Sequence, residues 1–241
     1  NVRGARFGFV NANKGNIRGA DLGFINLSTG VTEGLKLGFL NLNMDENKAL
    51  TAGFINISKS VSNHQVGFIN ITDTVKKGVP IGFLTIARNG YRRFEAGVSD
   101  ALFLQGGYKI GVRAFYNIFY TGIQFSADRF RFGYGYGVGT LFNLKGRSEM
   151  NIDGIAYHVI ESGPDYKSNV TNMLCQLKIN YNYKITDKTN FYVGPTLNLM
   201  VSGIKKSNGT GSDLPLWSVY NETISNTNFK FWPGLNAGLN F

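Results

Sequence analysis

The run Gly133-x-Gly135-x-Gly137-x-Gly139 is the part of this chain that comes nearest to a phosphate cradle. Glycines so spaced let backbone N–H groups approach an anion when a helix begins behind them. Here the intervening residues are aromatic and no helical pattern follows, so the glycines read as small residues on the inner face of a strand. His64 and His158 lie far apart, and neither sits in a metal-binding or nucleophile motif. A Ser/His/Asp site would have to be assembled from distant segments. The single cysteine, Cys175, forbids an internal disulfide and any Cys-based zinc cluster. No catalytic, cofactor or metal site is therefore expected, and the chain is not expected to be an enzyme.

The formal net charge of +10 raises nucleic acid as a partner. Binders of that class gather Lys and Arg into a patch or stripe. Here the bases are scattered, with pairs such as Lys76-Lys77, Arg92-Arg93 and Lys205-Lys206. A basic interior, or a rim facing anionic lipid headgroups, is the better reading, and no nucleic-acid partner is expected.

The elements that must position these residues are strands. The chain has 241 residues, 43% apolar and 14% aromatic, with 31 glycines and 17% charged residues. That makeup disfavours helices, disorder and coiled coils. No stretch approaches the roughly 18 to 20 continuous apolar residues of a membrane-spanning helix, but closed barrels cross bilayers with alternating strands. Residues Asn1 to Arg6 carry no charged-then-apolar leader, so the chain reads as mature or trimmed.

One phrase recurs through the first third: Gly8-Phe9-Val10-Asn11, Gly23-Phe24-Ile25-Asn26, Gly38-Phe39-Leu40-Asn41, Gly53-Phe54-Ile55-Asn56, Gly67-Phe68-Ile69-Asn70 and Gly82-Phe83-Leu84-Thr85. The glycines are separated by 15, 15, 15, 14 and 15 residues. A strand of about 9 residues plus a turn of about 5 would be one stroke of an antiparallel meander. The rival is a β-solenoid with one coil per repeat, in which the Phe and Asn residues would stack into ladders.

The second part alternates with period two. Over 174–185, Cys175, Leu177, Ile179, Tyr181, Tyr183 and Ile185 mark one face, and Gln176, Lys178, Asn180, Asn182 and Lys184 mark the other. Residues 190–201 alternate likewise. The spacing predicts strands near 91–98, 103–112, 117–125, 129–143, 149–160, 173–185, 189–202 and 229–241. Aromatic faces of such length fit apolar-out and polar-in. The connections 88–90, 145–147 and 186–188 are short and fall on the side of the termini, whereas 161–172 and 203–228 are long and fall opposite. With six repeat strands the expectation is one all-β domain over 1–241: a transmembrane, antiparallel, up-and-down barrel of about 14 strands, with 1–90 as its repeat strands and 91–241 as its longer-stranded part.

The repeats, the alternating tail ending in Phe241, and the segments Ile81-Gly82-Phe83, Lys109-Ile110-Gly111-Val112, Phe115-Tyr116-Asn117-Ile118-Phe119 and Phe132-Gly133-Tyr134-Gly135-Tyr136-Gly137 resemble the surface-repeat-containing outer-membrane barrels of the Bacteroidota. Asn236 stands where the tail signal read by the insertion machinery usually has Gly. The resemblance implies a bacterial outer membrane, with periplasmic termini, extracellular long loops, and lipid and lipopolysaccharide as neighbours. It supplies no activity. Asp73-Thr74-Val75 resembles the short O-glycosylation site of that phylum, which makes Thr74 a candidate acceptor.

Two functions follow. The first is a non-enzymatic structural or partner-binding subunit of an outer-membrane assembly, with other outer-membrane proteins as candidate partners. The second is a porin-like diffusion channel or transporter for small anionic or apolar solutes. Candidate lumen-lining residues are Lys36, Lys109, Arg113, Arg131, Gln176, Lys178, Asn180, Asn182, Lys184 and Asn198. In the repeats, an inward Gly would bring Ile25, Leu27, Leu40, Leu42, Ile55, Ile57, Ile69 and Ile71 inward too. Residues 203–228 are expected to form the most exposed loop, with Ser207 to Ser212 a flexible polar stretch.

Overall fold

A computed structural model describes residues 1–126, 129–162, 170–206, 209–215 and 217–241. Among them every regular element is a strand. The chain divides into two compact units: Asn1–Arg92 with Ile110–Asn117, and Arg93–Lys109 with Ile118–Phe241. The first is a parallel β-solenoid and the second is built on a closed barrel of eight strands, which corrects the expectation of one barrel of about 14.

The solenoid contains β1 (Val2–Asn13), β2 (Ile17–Ser28), β3 (Thr32–Leu37), β4 (Leu40–Val61), β5 (Gln65–Val75), β6 (Pro80–Ile81) and β7 (Leu84–Ala87). All its pairings are parallel and in register with the repeat: Gly8 pairs with Gly23, Asn26 with Asn41 and Asn56 with Asn70. Each repeat is thus one coil rather than one stroke of a meander. The segment Ala87 to Gly90, expected as one more hairpin, instead finishes the last coil, with Arg88 N donating to Thr72 O at 3.0 Å.

The side chains explain why parallel stacking prevails. Asn11, Asn26, Asn41, Asn56 and Asn70 form one buried column in which each Nδ2 donates to the next Oδ1 at 2.8–2.9 Å. The second Nδ2 proton goes to a backbone carbonyl, Leu37 O for Asn26 and Ala52 O for Asn41. Where the column ends at Thr85, Asn117 takes over: its Oδ1 accepts from Thr85 N at 2.7 Å and its Nδ2 donates to Gly82 O at 2.8 Å. On the outside, Phe9, Phe24, Phe39, Phe54, Phe68 and Phe83 stack with centroids 4.8–5.0 Å apart. An antiparallel meander would have sent successive Asn residues to opposite ends and dissolved both columns.

The glycine before each Phe belongs to the same geometry. A Cβ on Gly38 would lie 2.4 Å from Gly23 O and 2.5 Å from Asn26 Nδ2. The corner accepts no side chain there because the amide column passes directly behind it. Ile25, Leu27, Leu40 and Leu42, expected inside alongside Gly, are half-buried on the outer surface, and Ile71 is exposed. The positions between them, Asn26, Ser28, Asn41, Asn43 and Thr72, are buried. The expected apolar inner wall does not exist: the solenoid is mainly polar within, with Ile17, Ala49, Val61 and Ala87 as buried apolar residues, and largely apolar without.

The barrel contains β8 (Tyr91–Ser99), β9 (Leu104–Val112), β10 (Phe115–Ser126), β11 (Arg129–Asn143), β12 (Ser148–Glu161), β13 (Asn172–Lys184) and β14 (Asn190–Ser202). After the small strands β15 (Lys205–Lys206), β16 (Gly209–Thr210) and β17 (Tyr220–Ile224), β18 (Thr227–Asn240) pairs with both β14 and β8 and closes the cylinder. These eight barrel strands are those expected from the period-two pattern, to within about three residues at their ends. Short connections at 113–114, 144–147 and 185–189 lie at the end where Phe241 exchanges two backbone hydrogen bonds with Phe94. The long connections after β12 and β14 lie at the other end.

Asn41→Leu should strand the amide oxygen of Asn56 and the carbonyl of Ala52, each at about 1–3 kcal/mol. Urea unfolding in detergent, followed by circular dichroism, should show that loss. Phe39→Leu, which alters only the outer surface, should cost much less.

Candidate functional site

The inward faces of the barrel strands meet in a packed polar interior. Eight strands leave room for side chains to fill the cylinder and little more. At mid-height, Lys109 Nζ lies 2.5 Å from Glu95 Oε2 and 2.7 Å from Asp153 Oδ2, all three side chains being at most 1% exposed. Lys178 Nζ donates to Gln105 Oε1 at 2.7 Å and sits 4.2 Å from the centre of the Tyr120 ring. Tyr120 in turn hydrogen-bonds Glu95. Two lysines and two carboxylates therefore sum to zero in a space without water-exposed surface, as buried charges require.

Amides fill the lower part. Asn182 Nδ2 donates to Asn151 Oδ1 at 2.7 Å, Asn240 Nδ2 to Asn182 Oδ1 at 2.9 Å, and Asn236 Nδ2 to Asn180 Oδ1 at 2.9 Å. Gln176 Nε2 reaches Asn198 Oδ1 at 2.8 Å higher up. Near the end with the long connections, Arg131 pairs with Glu161 at 3.2 Å, and Glu161 also accepts from Asn172 and Ser212. Lys230 Nζ holds Ser212 O at 2.6 Å. Ile204, Ser212 and Leu214 are buried there, so part of 203–228 folds inward rather than standing as an exposed loop. Trp217 is exposed, while Ser207, Asn208 and Leu216 lie outside the described residues.

Most of the expected lumen residues are thus inside the barrel: Lys109, Arg131, Gln176, Lys178, Asn180, Asn182 and Asn198 are all buried. Lys184 is partly exposed at the rim and pairs with Glu149 at 2.8 Å. Two expectations need correction. Lys36 is buried in the solenoid, its Nζ donating to Ser28 Oγ at 2.7 Å, because it occupies an inward position of a coil. Arg113 is exposed in the two-residue turn between β9 and β10. Thr74, the candidate acceptor, lies in β5, half-buried and paired with Ser60.

Sequence reasoning named the bases and missed their counter-ions, Glu95 and Asp153. A signal existed: each is an acid at inward parity in a strand whose outward residues are largely apolar, with Glu95 four residues after Tyr91 and four before Ser99 in the buried set of β8. In the solenoid the charges gather at the turns. Glu46 accepts from Ser62 at 2.5 Å and pairs with Lys76 at 3.2 Å, and the hydroxyl followed by the ammonium holds its carboxyl below the ordinary value.

The chemistry of the barrel interior is mutual neutralisation. Lys109, Lys178, Glu95 and Asp153 gather at its centre and are buried. Among the described residues no group of three or more His, Cys, Asp or Glu side chains is placed to hold a metal ion. Comparison with protein-family models, with curated proteins and with solved structures finds no match.

Asp153→Asn should leave Lys109 and Lys178 against one carboxylate and destabilise the barrel by about 3–5 kcal/mol. Combining it with Lys109→Met should recover much of that loss. A double-mutant cycle of unfolding free energies measures the coupling; additivity of the two changes would mean that the ion pair is not a unit.

Proposed function

We propose that the chain is an integral protein of a bacterial outer membrane, held there by its eight-stranded barrel, and that it serves as a non-enzymatic structural or partner-binding subunit rather than as a channel. The observation that carries this reading is the inverted polarity of the barrel. On β13, Leu177, Ile179, Tyr181 and Tyr183 are 38–46% exposed, while Gln176, Lys178, Asn180 and Asn182 are at most 2% exposed. A protein in water gains by burying the first set and hydrating the second. In lipid the preference reverses, and eleven tilted residues from Met173 to Tyr183 climb roughly 25 Å, the height of an outer-membrane apolar band.

The packed interior argues against a conducting path. Lys109, Lys178 and Arg131, the bases that would have made a lumen anion-attracting, each face a carboxylate or an amide at hydrogen-bond distance. The unequal connections support periplasmic termini and long connections toward the cell exterior. The non-enzymatic part of the reading rests on the enclosure of the polar groups.

Refolding the full chain into phosphatidylcholine vesicles should give a heat-modifiable band on unboiled gels and protection of the barrel from added protease. Planar bilayers containing the same protein should show no stable unit conductance. Regular anion-selective steps would instead establish the channel.

A further inference from the structure

The solenoid has the same polarity inversion as the barrel, yet a different shape. Each coil is a flattened loop with two walls. The inner faces carry Asp21, Lys36, Thr51 and Gln65 on one wall and the Asn column with Ser28, Asn43 and Ser58 on the other, all buried. The walls join at one end in the Gly-Phe corner and at the other in a polar turn. Apolar residues cover both outer walls near the corner, as Leu35, Leu37, Leu40 and Leu42 do in the coil of Phe39. Toward the turns the outer positions become charged: Arg18, Glu33, Lys48, Lys76 and Arg88.

We infer that the Phe-edged side of the solenoid is a lipid-binding surface that inserts into one leaflet of a bilayer, with the acyl chains against the Phe column and the headgroups at the charged turns. This rests on the reading above that the chain resides in a membrane. Three observations fix the occupant as lipid. The first is length. From Glu33, in the charged belt, to Phe39, at the corner, is six residues, roughly 20 Å of strand at about 3.3 Å per residue. Half of a hydrocarbon core is roughly 15 Å, so the wedge reaches the midplane and cannot cross.

The second observation is satisfaction of polar groups. Hydrocarbon tolerates only backbone whose N–H and C=O groups are already paired. Coil-to-coil ladders pair them through the solenoid, and Asn117 supplies partners for Thr85 N and Gly82 O at one end. The coil of Phe9 keeps one open edge, so the central coils are the place to test. The third observation is charge. Outside the buried interior, the turns and belt carry Arg3, Lys14, Arg18, Lys48, Lys59, Lys76, Lys77 and Arg88 against Glu33, Asp45, Glu46 and Asp73, an excess of base suited to anionic headgroups.

The test uses the full chain in phosphatidylcholine vesicles with a minor share of phosphatidylglycerol, the phosphatidylcholine brominated deep in the acyl chain. Single variants Phe39→Trp, Thr29→Trp and Leu177→Trp are compared, with the signal of Trp217 and Trp232 in the unaltered protein subtracted. Phe39→Trp should be quenched several-fold more strongly than Thr29→Trp, which sits in a turn. Phe54→Trp serves if Phe39→Trp does not fold. Quenching of Leu177→Trp without quenching at position 39 or 54 overturns the inference and leaves the barrel reading standing. Loss of quenching at all positions overturns both. Protection at position 39 from both lipid bromine and aqueous acrylamide also overturns it, because the column would then be covered by protein, a second copy included.

Discussion

A buried side-chain amide offers two donors and an acceptor oxygen, and the rest of this structure depends on where those go. In water they are satisfied outside and apolar groups pack within. Here many of them are met within, by other amides and by backbone carbonyls. The column from Asn11 to Asn70 passes one hydrogen bond from coil to coil, and the barrel joins Asn151, Asn182 and Asn240 across three strands. Each link is worth only about 1 kcal/mol net, yet each broken one leaves a stranded polar group at a higher cost. Once the interior is committed to amides and neutralised charge, the apolar side chains have only the outer surface left.

The same constraint accounts for the glycines, the rings and the paucity of exposed charge on the outer walls. Gly38 is small because Asn26 Nδ2 and Gly23 O stand where its Cβ would be. Phe39 faces outward because its wall's inner positions are taken by polar groups. Lys109 and Lys178 can be buried because Glu95 and Asp153 are buried with them. Two units with different topologies thereby reach the same arrangement, one by stacking identical residues and one by closing a cylinder.

Much of this is legible in the sequence, and the failure is instructive. The period-two alternation of 174–185 places Gln176, Lys178, Asn180 and Asn182 inward, where they are found. The eight barrel strands follow from the same rule. The repeats mislead because a stroke of about 9 residues with a turn fits a hairpin and a solenoid coil equally well. A continuous strand would put Phe24 and Asn26, two residues apart, on one face, whereas the coil sends Phe24 out and Asn26 in. Phase also separates hairpin from coil: Asn26, Asn41, Asn56 and Asn70 keep one position in every repeat, which only parallel stacking rewards with an amide column. The burial of Ser212 and Leu214 is less legible, since their inward fold depends on Glu161 and Lys230 from distant strands.

The central claim, that the barrel turns its apolar exterior toward lipid, is tested most directly by spin labels placed one at a time along 174–183 in the vesicle-bound protein. Power saturation compares access to oxygen, which concentrates in hydrocarbon, with access to a water-soluble nickel chelate. The account predicts a period of two, with labels at 175, 177, 179, 181 and 183 favouring oxygen and those between them shielded from both reagents. Equal or greater access to the nickel chelate at the outward positions would contradict it.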